Sequence, residues 1–252
     1  MIFSKGRSFR VKLAPTDLYI WHIPFGGKAL LEQRFAPLPS KEESTRAANF
    51  THPELHQCYL KTRWAMRDIL GLYLHTAQAD IQLRYAKLGK PELIPGAHSL
   101  DIRFNLTHSG DGALFAVTLG SEVGIDMERV RQKSRPLRLA KRYFTADTVA
   151  QLIALPEKEQ QITLLKLWTQ YEAYKKAQGV GLRGGEGLLP LSINLQTDQF
   201  QPFPRDTGEA SNWLVSQLKS ANEYVAAVVI KPSCEEIQIK NIDYDAYLFS
   251  NR

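Results

Sequence analysis

The chain has 252 residues, 44% of them hydrophobic and 23% charged, the proportions of a globular protein with room for one large domain or two small ones. No apolar run approaches the roughly 18–20 residues that span a membrane, and the start, MIFSKGRSFRVKLAP, lacks the continuous apolar stretch of a secretory signal, so no membrane association and a cytoplasmic location are expected. The formal charge of +6 favours an anionic partner or substrate without choosing among nucleotide phosphates, nucleic acid or an acidic protein.

In chain order, Leu18 to Pro24 reads as a strand because aromatic and β-branched residues dominate it. Ser40 opens a polar segment with acidic residues at a helix first turn. From Pro53 to about Thr76, Leu55, Tyr59, Leu60, Trp64, Ile69, Leu70 and Leu74 recur at helical spacing, and Arg63 and Arg67 project from one face of that helix. A Gly89-Lys90-Pro91 turn leads to a strand over Ile102–Leu106, a turn over His108–Gly112, a strand over Ala113–Leu119, and a further strand over Val123–Glu128. Helices are expected over Pro136–Tyr143, from Thr145 as N-cap to Leu155, and from Glu157 to Gln178, where Gly179 suits a left-handed cap. Strands then follow over Leu191–Leu195, Trp213–Leu218, Tyr224–Ile230 and Ile237–Lys240. Asn105–Leu119 and Ser216–Ile230 are alike, strand, polar turn and strand, each after a long helix; two similar lobes would meet near residues 120 to 123. Cys58 and Cys234 form no C-x-x-C pair and read as buried small hydrophobes.

Four places could carry chemistry. Asp126 and Glu128 are two apart in a strand and share one face, so they are either a solvated polar edge or ligands for a hard cation such as magnesium, which takes carboxylates plus substrate phosphates. Glu172 and Lys176, at i and i+4 on the long helix, are either a surface ion pair or the lining of a crevice. His108, between Thr107 and Ser109, is either a backbone-bonded turn histidine or part of a phosphate site. Lys90 by itself reads as a turn lysine at the surface.

Taken in order, Gly89-Lys90-Pro91, Phe104-Asn105-Leu106-Thr107-His108-Ser109, Val123-Gly124-Ile125-Asp126-Met127-Glu128, Ala140-Lys141-Arg142-Tyr143-Phe144, and Trp168 to Lys176 with Gly179-Val180-Gly181-Leu182 resemble the motifs of the 4′-phosphopantetheinyl transferase superfamily, in its larger Sfp-type branch. The resemblance implies an α+β fold of two pseudo-symmetric α+β lobes, 1–122 and 123–252, with the active site between them. It implies an enzyme that moves phosphopantetheine from coenzyme A to a serine of an apo acyl or peptidyl carrier protein and releases 3′,5′-ADP. By matched position, Asp126, Glu128 and Glu172 would hold magnesium, or manganese in its place, and Glu172 and Lys176 would act in catalysis. Lys176 would contact the pyrophosphate, Thr107 and His108 the phosphates, and Gly89, Lys90 and Pro91 the adenosine end; Arg46, Arg63 and Arg67 are candidates for the 3′-phosphate. The family's usual lysine before the helical glutamate is Tyr171 here, with Lys175 or Lys176 as the compensating cation. Lys133, Arg135, Arg138, Lys141 and Arg142 would form a docking face for an acidic carrier. A chain that completes its own site needs no second copy, so a monomer is expected. The competing readings are a metal-dependent phosphohydrolase with the same carboxylates and a basic nucleic-acid-binding protein. Dispersed basic residues with no interleaved aromatics argue against nucleic acid.

Overall fold

The structure, a computed structural model, describes residues 12–26, 40–87, 89–130, 136–180, 189, 191, 193, 197–203, 212–220 and 223–250. Lys133, Arg135, Gly181 to Gly187 and most of the strand expected over Leu191–Leu195 lie outside the described residues. The class is α+β. One sheet contains β1 (Asp17–Pro24), β4 (Ile102–Ser109) and β5 (Gly112–Leu119), antiparallel to one another; the other, antiparallel throughout, contains β6 (Glu122–Arg129), β7 (Gln201–Pro202), β8 (Leu214–Leu218) and β9 (Tyr224–Lys231). A separate small ribbon pairs β2 (Leu83–Tyr85) with β3 (Pro91–Leu93). No helix among the described residues is long and apolar enough to cross a membrane.

Alternation along each strand decides what the sheets cover. Trp21, Ile23, Phe115 and Val117 face helix α2 (Pro53–Leu74), whose Ala65, Met66, Ile69, Leu70 and Tyr73 form a buried helical stripe against them. The intervening residues Leu18, Ile20, Leu114 and Ala116 point the other way, onto Val123, Ile125, Met127, Ala226 and Val228 of the second sheet. Helix α5 (Glu157–Gln178) covers that sheet's outer face with Leu164, Leu167, Trp168 and Tyr174. Each fully buried large apolar side chain stabilises by roughly 1.5–3 kcal/mol. The helical spacing of α2 is as expected, with Ile69 and Leu70 of the expected stripe buried, but Leu55 in its first turn is 47% exposed.

The local start and stop signals are used. Ser40 accepts the Glu43 amide at 3.4 Å to cap α1 (Lys41–Ala48), and Thr145 accepts the Thr148 amide at 3.4 Å to cap α4 (Ala146–Ala154). Gly179 ends α5 at φ 71°, a conformation that glycine adopts without strain. Helix α3 (Pro136–Tyr143) precedes α4. The hairpin after β4 differs from expectation. Ser109 pairs with Gly112, so the turn is only Gly110-Asp111, and His108 lies in the strand opposite Ala113. A two-residue turn with glycine first at positive φ lets the ladder continue to Ser109.

A second difference lies at the C-terminal end. β10 (Gln238–Asp243) pairs in parallel with β1, and α6 (Tyr244–Ser250) lays Tyr244 and Tyr247 edge-on against Trp21 at 6.3 and 5.3 Å. A division at 122/123 therefore does not separate the sheets, because the last segment returns to the first one. Parallel pairing needs a long crossover that leaves no turn signal to read. The two cysteines are half-buried thiols rather than core residues.

Gly124 is where α5 meets β6. A Cβ there would lie 2.0 Å from the Ala173 carbonyl oxygen and 2.3 Å from the Ala177 nitrogen, so nothing larger than hydrogen fits. Gly124→Ala must push α5 off the strand, at about 3 kcal/mol or more. A urea titration should show a lower midpoint with unchanged slope; an unaltered midpoint would mean that helix and strand are not in this contact.

Candidate active site

A cleft of about 430 Å³ opens between α2, the Gly89–Pro91 turn, β4, β6 and α5. Its floor follows from the Gly124 contact. Two residues along the same face of β6 stands Asp126, then Glu128, while the turns of α5 around Ala173 and Ala177 bring Glu172 and Lys176 opposite them. The acidic pair Asp126–Glu128 and the Glu172–Lys176 pair, distant in the chain, line one cavity.

Asp126 is 5% exposed. Its Oδ1 accepts the Lys176 ammonium at 2.6 Å and the Thr107 hydroxyl at 3.1 Å, and Lys176 also lies 3.3 Å from the Thr107 Oγ1. Oδ2 is buried with no hydrogen-bond partner among the described residues. A buried carboxylate oxygen without a donor is costly, and it marks where a cation or a ligand donor would be stabilised.

Burial, the Asp126 charge and, more weakly, Glu128 push the Glu172 carboxyl up to about 7, against the opposing pull of Lys176. Three carboxyls in one cleft resist sharing negative charge, and a divalent cation would relieve this. Among the described residues no set of three His, Cys, Asp or Glu is gathered tightly enough to hold a metal as it stands, and the ion pair with Lys176 supplies the positive charge at Asp126. The orphaned Oδ2 and the raised Glu172 nevertheless fit a hard cation held by oxygen ligands. His108 opens onto the cleft from β4; burial, Lys176 and Arg63 lower its pKa, an effect that water in the cleft tempers.

Of the expected site residues, Gly89, Lys90, Pro91, Thr107, His108, Asp126, Glu128, Glu172, Lys176 and Arg63 line this cleft. Arg63 stacks over Tyr59 at 4.9 Å, with its buried Nε lacking a partner among the described residues. Arg46 lies beside the cleft, over the Tyr85 ring at 4.7 Å and against Gly89. Arg67 does not reach the cleft. It is buried with Glu43 at 2.8 Å and donates to the carbonyls of Gln78 and Ile81, which makes it a strut between α1, α2 and the following turn. Sharing a helix face with Arg63 does not carry it to the ligand, because α1 packs against that part of α2.

Tyr171 faces away from the cleft, into a cluster with Tyr143, Phe144 and Trp168 whose ring centroids lie 5.2–6.3 Å from its own. Lys175, one turn on, lines the cleft. Tyr59 and Asn105 also line it and were not singled out from sequence. Asn105 stands in the F-N-L-T-H-S block, and its side-chain oxygen accepts the Ile125 amide at 2.9 Å, a structural tie that strand alternation could have suggested.

A model of the 4′-phosphopantetheinyl transferase superfamily matches residues 122–229. HetI, a 4′-phosphopantetheinyl transferase of Nostoc sp. (strain PCC 7120), is 32% identical over 218 residues, 86% of this chain and 89% of its own length. A Synechocystis sp. protein provisionally assigned as a 4′-phosphopantetheinyl transferase is 33% identical over 82% of this chain and 78% of its own. The 4′-phosphopantetheinyl transferase Sfp of Bacillus subtilis is 29% identical over 66% of this chain and 70% of its own. The chain therefore belongs to the 4′-phosphopantetheinyl transferase superfamily and is an enzyme of that class.

The raised Glu172 pKa has a stability consequence in metal-free buffer. Folded, the carboxyl takes its proton near pH 7; unfolded, it does so only near its ordinary value of 4.5. Between these the native state binds more protons, so its stability falls as pH rises from about 5 to 7. With EDTA present, Glu172→Gln should melt higher than the parent at pH 8, and the difference should vanish toward pH 5. Equal melting temperatures at both pH values would contradict the crowding of carboxyls.

Proposed function

We propose that this enzyme transfers the 4′-phosphopantetheine arm of coenzyme A to a serine of an apo acyl or peptidyl carrier protein, releasing 3′,5′-ADP, with magnesium required. The observation that carries the reading is the ion pair between Asp126 of β6 and Lys176 of α5, with Glu128 beside the one and Glu172 beside the other, lining one cleft. Acidic oxygens for a cation and a fixed ammonium for phosphate charge stand side by side, as a diphosphate substrate demands.

Asp126, Glu128 and Glu172 would hold the magnesium ion, which when bound supplies Lewis-acid neutralisation of the diphosphate. The remaining chemistry falls to the chain's own groups. The carrier serine oxygen attacks the phosphorus on the pantetheine side, forming the new P–O bond as the bond to the 3′,5′-ADP phosphate breaks. Lys176 provides positive charge where the leaving phosphate gains negative charge, and either Lys175, which borders the same cleft at 2% exposure, or Lys176 alone makes up for the lysine that Tyr171 replaces. Glu172 takes the serine proton; burial, Asp126 and Glu128 raise its proton affinity in the metal-free cleft, a bound cation would hold it ionised, and its place on α5 then makes it a base by position. Thr107 and His108 contact phosphate from β4. Arg63 serves the 3′-phosphate, supported by its unpartnered Nε in the cleft wall, with Arg46 at the edge beside Gly89, and with Gly89 and Pro91 along the adenosine end.

Transfer is read directly by incubating the protein with coenzyme A, magnesium and an apo carrier. A carrier mass gain of one phosphopantetheine with equal 3′,5′-ADP is expected, and Asp126→Asn should lower kcat on the order of 100-fold or more. Release of 3′,5′-ADP with the carrier unmodified would instead favour hydrolysis.

The acidic carrier would dock on α3, where Arg138, Lys141 and Arg142 are exposed. Reversing Arg138 and Lys141 to glutamate should raise the KM for carrier about tenfold at low salt and leave coenzyme A binding unchanged. An unmoved carrier KM would remove α3 from the interface.

A further inference from the structure

Lys90 stands in the cleft wall, yet its ammonium is directed into the backbone behind it. It donates to the carbonyl oxygens of Lys176 at 2.9 Å, Val123 at 3.3 Å and Ala177 at 3.4 Å. An ammonium has three N–H donors, and these three carbonyls engage them all. Two of the acceptors belong to the last turn of α5, where the negative end of the helix favours a cation; the Lys176 carbonyl also accepts the Gly179 amide at 3.2 Å, so Lys90 adds a second donor to it. The third, Val123, immediately precedes Gly124, the point where α5 touches β6. The lysine arrives from a tightly closed turn: the Ala86 amide donates to the Lys90 carbonyl at 2.9 Å and the Gly89 amide to the Ala86 carbonyl at 2.7 Å. Gly89 takes φ 85° there, with the Arg46 guanidinium against it.

The residue whose carbonyl Lys90 holds most closely is the one whose side chain reaches Asp126 and Thr107. We infer that Lys90 is a positioning residue for Lys176, holding the C-terminal turn of α5 so that the Lys176 ammonium stays against Asp126 and Thr107, rather than a cation for the ligand. Burial lowers the pKa of Lys90, in keeping with an ammonium withdrawn from water. The kinetic part rests on the transfer role given to Lys176; the structural part does not.

Lys90→Met, Lys176→Met and the double variant test the inference. Lys90→Met should lower kcat about tenfold while the Kd for 3′,5′-ADP, a probe of the nucleotide end alone, stays within about twofold. In the double variant, kcat should fall no further than in Lys176→Met alone, because one route of action is already lost. Hydrogen exchange at the Gly179 and Val180 amides, measured on free protein, should quicken about tenfold in Lys90→Met as the last turn loosens. Multiplying losses in the double variant, a tenfold weaker 3′,5′-ADP, or a lower melting temperature with kcat untouched would each overturn the inference. If Lys90→Met does not fold, Lys90→Arg, which keeps a cation at the helix end with different donor geometry, is put through the same cycle with the same criteria. Exchange and nucleotide binding need no carrier. Failure of the unmutated protein to transfer would sink the functional reading, and unchanged exchange at Gly179 and Val180 would sink this one.

Discussion

Asp126 is buried where two sheets and a helix converge, and a carboxylate in that position is costly unless other groups answer it. Thr107 answers from the first sheet and Lys176 from α5. Because the partners come from separate parts of the chain, the interaction exists only when β4, β6 and α5 are all in place. The tolerances are tight: Gly124 allows α5 and β6 to touch backbone to backbone, and that contact sets the height at which Lys176 and Glu172 stand along the strand. Packing without a side chain thus positions the charged side chains beside it.

The β4 strand performs two tasks through its alternation. Phe104 and Leu106 pack toward the core under α2. Asn105, Thr107 and Ser109 point toward β6, where they meet the Ile125 amide, the Asp126 carboxylate and the Arg129 amide at 2.9, 3.1 and 2.9 Å. β4 and β6 are edge strands of different sheets, so side chains take the place of a backbone ladder between them. This satisfies polar groups that an edge would otherwise leave open. It also brings a hydroxyl and an imidazole to one wall of the cleft and the acidic residues to the other.

The charges in the cleft are arranged in opposition. Glu172 is driven toward its neutral form by burial and its acidic neighbours, while Lys176 pulls the other way. His108, exposed at the cleft mouth, is drawn toward its neutral form by partial desolvation and by the cations Lys176 and Arg63, an effect that solvent tempers. Such a site is poised between protonation states until a ligand of definite charge enters, and a diphosphate with a divalent cation would satisfy both sets. The +6 of the whole chain is less informative than this arrangement of a few groups in one cleft.

What the sequence determined by itself is local. Period-two alternation put Asp126 and Glu128 on one face, hydroxyl caps at Ser40 and Thr145 and a glycine at 179 marked helix ends, and the order of short motifs named the family. These depend on neighbours within a turn or a strand. Tertiary structure decided the rest. It sent Arg67 to Glu43 while Arg63 kept the cleft, and it turned Tyr171 into the aromatic core. It carried Lys90 to the end of α5 and returned β10 to β1. Spacing says which residues share a face; only the packing of distant elements says what that face meets, because those contacts join residues far apart in the chain with no local pattern to announce them.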